Sequence, residues 1–92
     1  MAVLVIAELP GVTAEQDDAT VKMMDLEGDP PVGNRMRMSG PTDSGWRVMS
    51  LWESREAFDA FVRDRLAPGL KRLDRTVPEF QYLPVERVLT FR

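Results

Sequence analysis

Ninety-two residues, 43% hydrophobic and 29% charged, suffice for one small domain spanning 1–92, near the lower limit of what folds without staples. The chain has no cysteine and no histidine, which removes disulfides, thiolate chemistry, the usual general base and the commonest metal ligand. A net charge of −3, with arginines scattered among acids, argues against nucleic acid as a partner, and the cysteine-free composition fits a reducing cytoplasm.

The apolar run Met1 to Ala7 is too short for a signal peptide or a membrane span and predicts a strand over residues 2–9. Val3, Val5 and Ala7 would share one face, Leu4 and Ile6 the other. A strand apolar on both faces is covered on both, so this one is expected at the centre of a sheet, with the second cover coming from another subunit. Pro10-Gly11 ends it. Thr13-Ala14-Glu15-Gln16 matches a capping box and predicts a helix running to about Leu26 with Val21 and Met24 inward.

Glu27 to Gly33 is a loop by its turn residues. Asn34 to Ser39 sets Arg35, Arg37 and Ser39 against Met36 and Met38, the alternation of a half-buried strand. A hairpin connection over Gly40 to Gly45 leads to a strand at 46–53. There Trp46, Val48, Ser50 and Trp52 share one face, while Arg47, Met49, Leu51 and Glu53 share the other. Ser54 suits an N-cap, with Glu56 in the first turn, and Ala57, Phe58, Phe61, Val62 and Leu66 follow at helical spacing. Pro68 predicts a break or kink, then a short turn holding Leu70 and Leu73. Glu79 to Phe91 reads as extended, interrupted at Pro84, which suits an edge strand or a bend.

The resulting order, β-α-β-β-α-β, predicts an α+β, ferredoxin-like split βαβ fold: a four-stranded antiparallel sheet with both helices on one face. The bare face is too apolar for water. Two copies packed sheet to sheet would cover it, so a homodimer is expected, with the C-terminal strand reaching across to the partner.

The length, this element order and the run Trp52-Glu53-Ser54-Arg55-Glu56-Ala57-Phe58, with Phe61 one turn on, resemble the dimeric α+β barrel superfamily, in particular its antibiotic-biosynthesis-monooxygenase-like domains. The resemblance covers nearly the whole chain. It implies a pocket between sheet and helices, with Trp52 at the position of a pocket-lining tryptophan. Relatives of this kind include cofactor-independent monooxygenases of aromatic polyketides, haem-degrading oxygenases, and small-molecule isomerases or decarboxylases. The haem-degrading members pair that tryptophan with a histidine on the next helix, and this chain has none. The polyketide oxygenases place an asparagine and a tyrosine near it, where this sequence offers Val48, Ser50 and Phe58.

Without histidine, catalysis must rest on carboxylate, Arg, Lys, Tyr, Ser or Trp side chains, or on the substrate's own reactivity. Trp52 is either a strand-to-helix anchor or a pocket wall, and the two roles are compatible. Tyr82, the single tyrosine, is a candidate proton donor, and Glu8 a candidate base whose pKa would rise in an apolar site. Ser50, Met24, Met36, Met38, Phe58 and Phe61 are candidate substrate-binding residues, the methionines because they adapt to varied apolar shapes. Arg35 and Arg37 could grip a carboxylate in bidentate fashion or form a plain polar face. Trp46 reads as an edge or dimer contact. The expected activity is cofactor-independent monooxygenation, or related chemistry, on a hydrophobic or aromatic small molecule. It calls for no metal, no cofactor, no nucleic acid and no membrane. The alternative is a non-catalytic ligand-binding or interaction dimer of the same fold.

Overall fold

The computed structural model describes residues 1–91. Strand β1 (Ala2–Pro10) is followed by helix α1 (Ala14–Met23), strands β2 (Asn34–Thr42) and β3 (Gly45–Trp52), helix α2 (Arg55–Phe61), a π-helical turn (Val62–Leu66), helix α3 (Ala67–Arg72) and strand β4 (Phe80–Val85). The strands form one sheet in the order β2-β3-β1-β4, antiparallel throughout. This is the predicted α+β, ferredoxin-like arrangement, with β1 central and β4, which carries Pro84, at an edge.

The caps form as the sequence predicts. Gln16 N–H donates to Thr13 Oγ1 at 3.2 Å and Thr13 N–H donates to Gln16 Oε1 at 3.0 Å, closing the capping box of α1. Ala57 N–H donates to Ser54 Oγ at 3.1 Å, which starts α2 directly after the tryptophan strand.

Sheet register settles which residues face the helices. Val3, Val5 and Ala7 pair with Trp52, Ser50 and Val48 on β3 and with Pro84, Tyr82 and Phe80 on β4. Side chains of paired residues share a face, so these positions form the floor under α1 and α2. Val3, Val5, Trp52 and Phe58 make the buried core. Trp46, paired with Leu9, lies on this same helix side, half-buried, with its Nε1–H unpartnered; it is not an edge residue.

Three expectations change. Helix α1 ends at Met23, and its buried residues are Asp17 and Thr20, polar groups that the apolar spacing of Val21 and Met24 did not indicate. Pro68 does not break the second helix. A π turn precedes it, with the Ala67 N–H reaching back to the Val62 carbonyl; the short helix that carries Pro68 in its first turn buries Leu70 as expected, runs to Arg72 and leaves Leu73 beyond its end and exposed. The extended C-terminal segment pairs only as far as Val85.

Two of the closely packed glycines join the helices to their neighbours. At Gly33 the backbone has φ +83°, and a Cβ would meet Ala57 Cβ at 2.7 Å; the Gly33 carbonyl accepts from Glu53 N–H at 2.9 Å, tying the loop before β2 to the start of α2. At Gly69 a Cβ would come within 3.1 Å of Met24 Cγ, so α3 sits directly on the end of α1. No helix among the described residues is long and apolar enough to cross a membrane.

Candidate functional site

Between the sheet and the helices lies a partly open cavity of about 90 Å³, which is room for several waters. Its apolar wall is aromatic. Trp52, 2% exposed, meets Phe58 edge-on with centroids 5.3 Å apart and Phe61 at 5.1 Å; Phe58 in turn meets Phe80 at 4.9 Å and 87°. Met24 from the end of α1 and Leu66 from the π turn complete that side.

The polar edge comes from four elements. The Trp52 indole N–H donates to Ser50 Oγ at 2.8 Å, which leaves the serine hydroxyl hydrogen free to point elsewhere. Asn34, directly across from Trp52, donates its amide hydrogens to the Met36 and Leu51 carbonyls at 3.3 and 3.2 Å. Asp17 accepts from both Arg37 Nη atoms, at 2.7 and 3.3 Å, and from Ser39 Oγ at 3.2 Å. Arg75, from the loop after α3, donates to Thr20 Oγ1 at 3.0 Å. Displaced titrations belong to exposed surface pairs: a hydrogen bond and the charge of Asp18 raise Lys22, and the Arg63–Asp64 hydrogen bond raises the arginine and lowers the acid.

Among the residues singled out from sequence, the structure brings Trp52, Ser50, Met24, Phe58 and Phe61 together around this cavity. It does not bring Glu8, Met36, Met38 or Tyr82 there. Glu8 pairs opposite Arg47 on the far face of the sheet and is ion-paired with it. Met36 and Met38 pair with Leu51 and Met49 on that same far face and are exposed. Tyr82 lies on the helix side but outside the cavity wall; the Arg55 guanidinium covers its ring at 3.5 Å.

Arg37 does grip a carboxylate in bidentate fashion, but the carboxylate is Asp17 of the same chain. A bulge at Arg35 separates Arg35 from Arg37. The Cα pairing steps from Asn34–Trp52 to Met36–Leu51 and Arg37–Ser50, which turns Asn34 and Arg37 to the helix side. Strict alternation puts Asn34 on the other face, so the sequence reading missed it. It also missed Asp17, Thr20 and Arg75. Among the described residues no group of three or more acidic, His or Cys side chains is placed to hold a metal ion.

No family model and no curated protein matches the chain by sequence. By structure the chain is similar to SnoaB, a cofactor-independent oxygenase from Streptomyces nogalater, crystallised as an asparagine-to-alanine variant. The TM-score is 0.62, over 96% of this chain and 94% of that one, at 13% sequence identity. Identity that low speaks for the fold alone, because one fold hosts many chemistries. What the likeness establishes is the fold alone, a four-stranded antiparallel α+β arrangement of the ferredoxin-like kind.

Proposed function

We propose that the protein is a cofactor-independent monooxygenase that oxidises an oxygen-bearing aromatic molecule held beside Trp52. The observation that carries this reading is one cavity with an aromatic wall and a short hydrogen-bonding edge, Ser50 and Asn34, next to the same tryptophan. The likeness to an oxygenase fold supports it at the level of architecture.

An anthrone-type substrate illustrates the chemistry. Loss of a proton from its methylene carbon to water gives an anion that reduces O2 itself, so the protein has to bind, orient and stabilise charge. A carbon–oxygen bond forms at that carbon, the O–O bond breaks, and the methylene hydrogens leave with one oxygen atom as water: anthrone plus O2 gives anthraquinone plus water. The Ser50 hydroxyl, polarised by the Trp52 N–H, donates to the substrate's carbonyl oxygen, where the anion's charge gathers. Asn34 has both amide hydrogens on backbone carbonyls, and its Oδ1 is the acceptor for a phenolic hydrogen.

Oxygen-electrode assays with anthrones, quinols and naphthols, without added metal or cofactor, are expected to show one O2 consumed per substrate. Ser50→Ala is expected to lower kcat on the order of a hundredfold, the effect of losing one donor at a developing charge. No turnover across the whole panel would end the oxygenase reading.

A second reading, ligand binding without chemistry, is favoured by one observation. The acid in the cavity wall, Asp17, already accepts three hydrogen bonds from Arg37 and Ser39 and is poorly free to act as a base. This reading predicts a ligand-induced rise in Tm with no oxygen uptake.

We also propose that the protein is a homodimer through the far face of the sheet. Leu4, Ile6, Met36, Met38, Met49 and Leu83 form an apolar surface there, with Met36, Met38 and Leu83 45%, 47% and 55% exposed. A patch of this kind is one that soluble monomers rarely leave in water. Sedimentation of the wild type is expected to give twice the chain mass, and Ile6→Glu to give the monomer with unchanged far-UV circular dichroism. A wild-type monomer at micromolar concentration would contradict the interface.

A further inference from the structure

We infer that Arg75 anchors an acidic group of the ligand, so that the cavity prefers aromatic acids to their neutral analogues. The inference rests on the cavity being a ligand site and adds a specificity to it.

Three charged side chains line the cavity: Asp17, Arg37 and Arg75. The first two are closed on each other, with Asp17 also held by Ser39. Arg75 is different. Its Nη1 donates to Thr20 Oγ1, a neutral acceptor whose own hydrogen goes to the Gln16 carbonyl at 3.0 Å. None of the ion pairs among the described residues includes Arg75. A half-buried guanidinium with five planar donors, one of them used and none on an acid, is a fork set for a carboxylate.

Its position fits that task. Leu9, Arg75, Pro78 and Phe80 line both the cavity and an open groove outside it, and Arg75 is the polar member of the four. An aromatic acid would place its ring inward against the Trp52 and Phe58 wall and leave its carboxylate at the mouth, on Arg75. The groove also carries Glu8, Asp74 and Glu79. Glu8 is taken by Arg47. The other two oppose the approach of an anion, an effect on the association rate more than on the docked contact.

The test uses 2-naphthoate and its neutral isostere 2-naphthamide, titrated calorimetrically into the full chain and its Arg75→Gln and Arg75→Lys variants. Wild type is expected to bind the acid at least about tenfold more tightly than the amide, as a charge-assisted contact implies. Arg75→Gln is expected to bring the two within about twofold without changing amide affinity, and Arg75→Lys to keep part of the preference. Glutamine retains a donor for Thr20, so a merely structural Arg75 would weaken acid and amide together, or neither. Equal wild-type affinities, or a preference that survives in Arg75→Gln, would overturn the assignment while leaving the cavity intact. If neither probe binds wild type, the cavity reading fails first and this one with it.

Discussion

Trp52→Ala is expected to cost about 4 kcal/mol of stability, the middle of the range for emptying a large aromatic site. Trp52 is 2% exposed and is where β3 hands over to α2. Its ring touches Phe58 and Phe61, one turn apart on that helix, and its partner in the sheet is Val3 of the central strand. Alanine therefore removes the contact joining sheet to helix and cannot be refilled without moving both. Trp52→Phe keeps most of that packing and loses the indole hydrogen bond to Ser50, for an expected cost of about 1–2 kcal/mol. Urea unfolding followed by far-UV circular dichroism checks both; a loss under about 1 kcal/mol for the alanine variant would show that the helix is held elsewhere. In a domain whose whole stability is about 5–15 kcal/mol, the alanine variant is expected to unfold well below the wild-type midpoint.

The second large effect is expected at the Asp17–Arg37 pair. Asp17 is buried in the first turn of α1, and its side chain is 10% exposed against 26% for Arg37. Asp17→Ala leaves a partly buried guanidinium without its acid, at an expected cost of about 3 kcal/mol. Arg37→Met leaves Asp17 with the Ser39 hydroxyl alone and is expected to cost a similar amount. The double variant Asp17→Leu, Arg37→Met removes both charges and is expected to recover at least half of the worse single loss, because an apolar pair needs no desolvation to be repaid. Additive losses in that cycle would mean the pair is not coupled, against the 2.7 Å contact.

Much of the fold was legible because several local signals agreed: two helix caps, a strand apolar on both faces, and the alternation that put Trp46, Val48, Ser50 and Trp52 on one side. Alternation does not say which face of a strand the helices will cover, and that is why Met36, Met38 and Glu8 read as site residues. The bulge at Arg35 has no composition signal, and it alone decides that Asn34 stands across from Trp52. Arg75 reaches Thr20 over 55 positions of chain. That contact follows from how the loop after α3 returns over α1, not from any spacing in the sequence. Apart from Ser50, which shares a strand face with Trp52, the polar half of the site is thus a product of topology, while most of its aromatic half was visible in the Trp52 to Phe61 run.

Under the proposed function, small molecules enter the space beside Trp52 rather than settle on the apolar far face of the sheet. The most direct measurement is a nitrogen–proton correlation spectrum of the Trp46→Phe variant, whose one remaining indole is Trp52, titrated with 2-naphthamide. Saturable shifts are expected at the Trp52 indole N–H, the Asn34 side-chain amide and the Phe58 backbone amide, with Ile6 and Met49 unmoved. Shifts confined to Ile6, Met38 and Met49, or none at the indole, would contradict that reading.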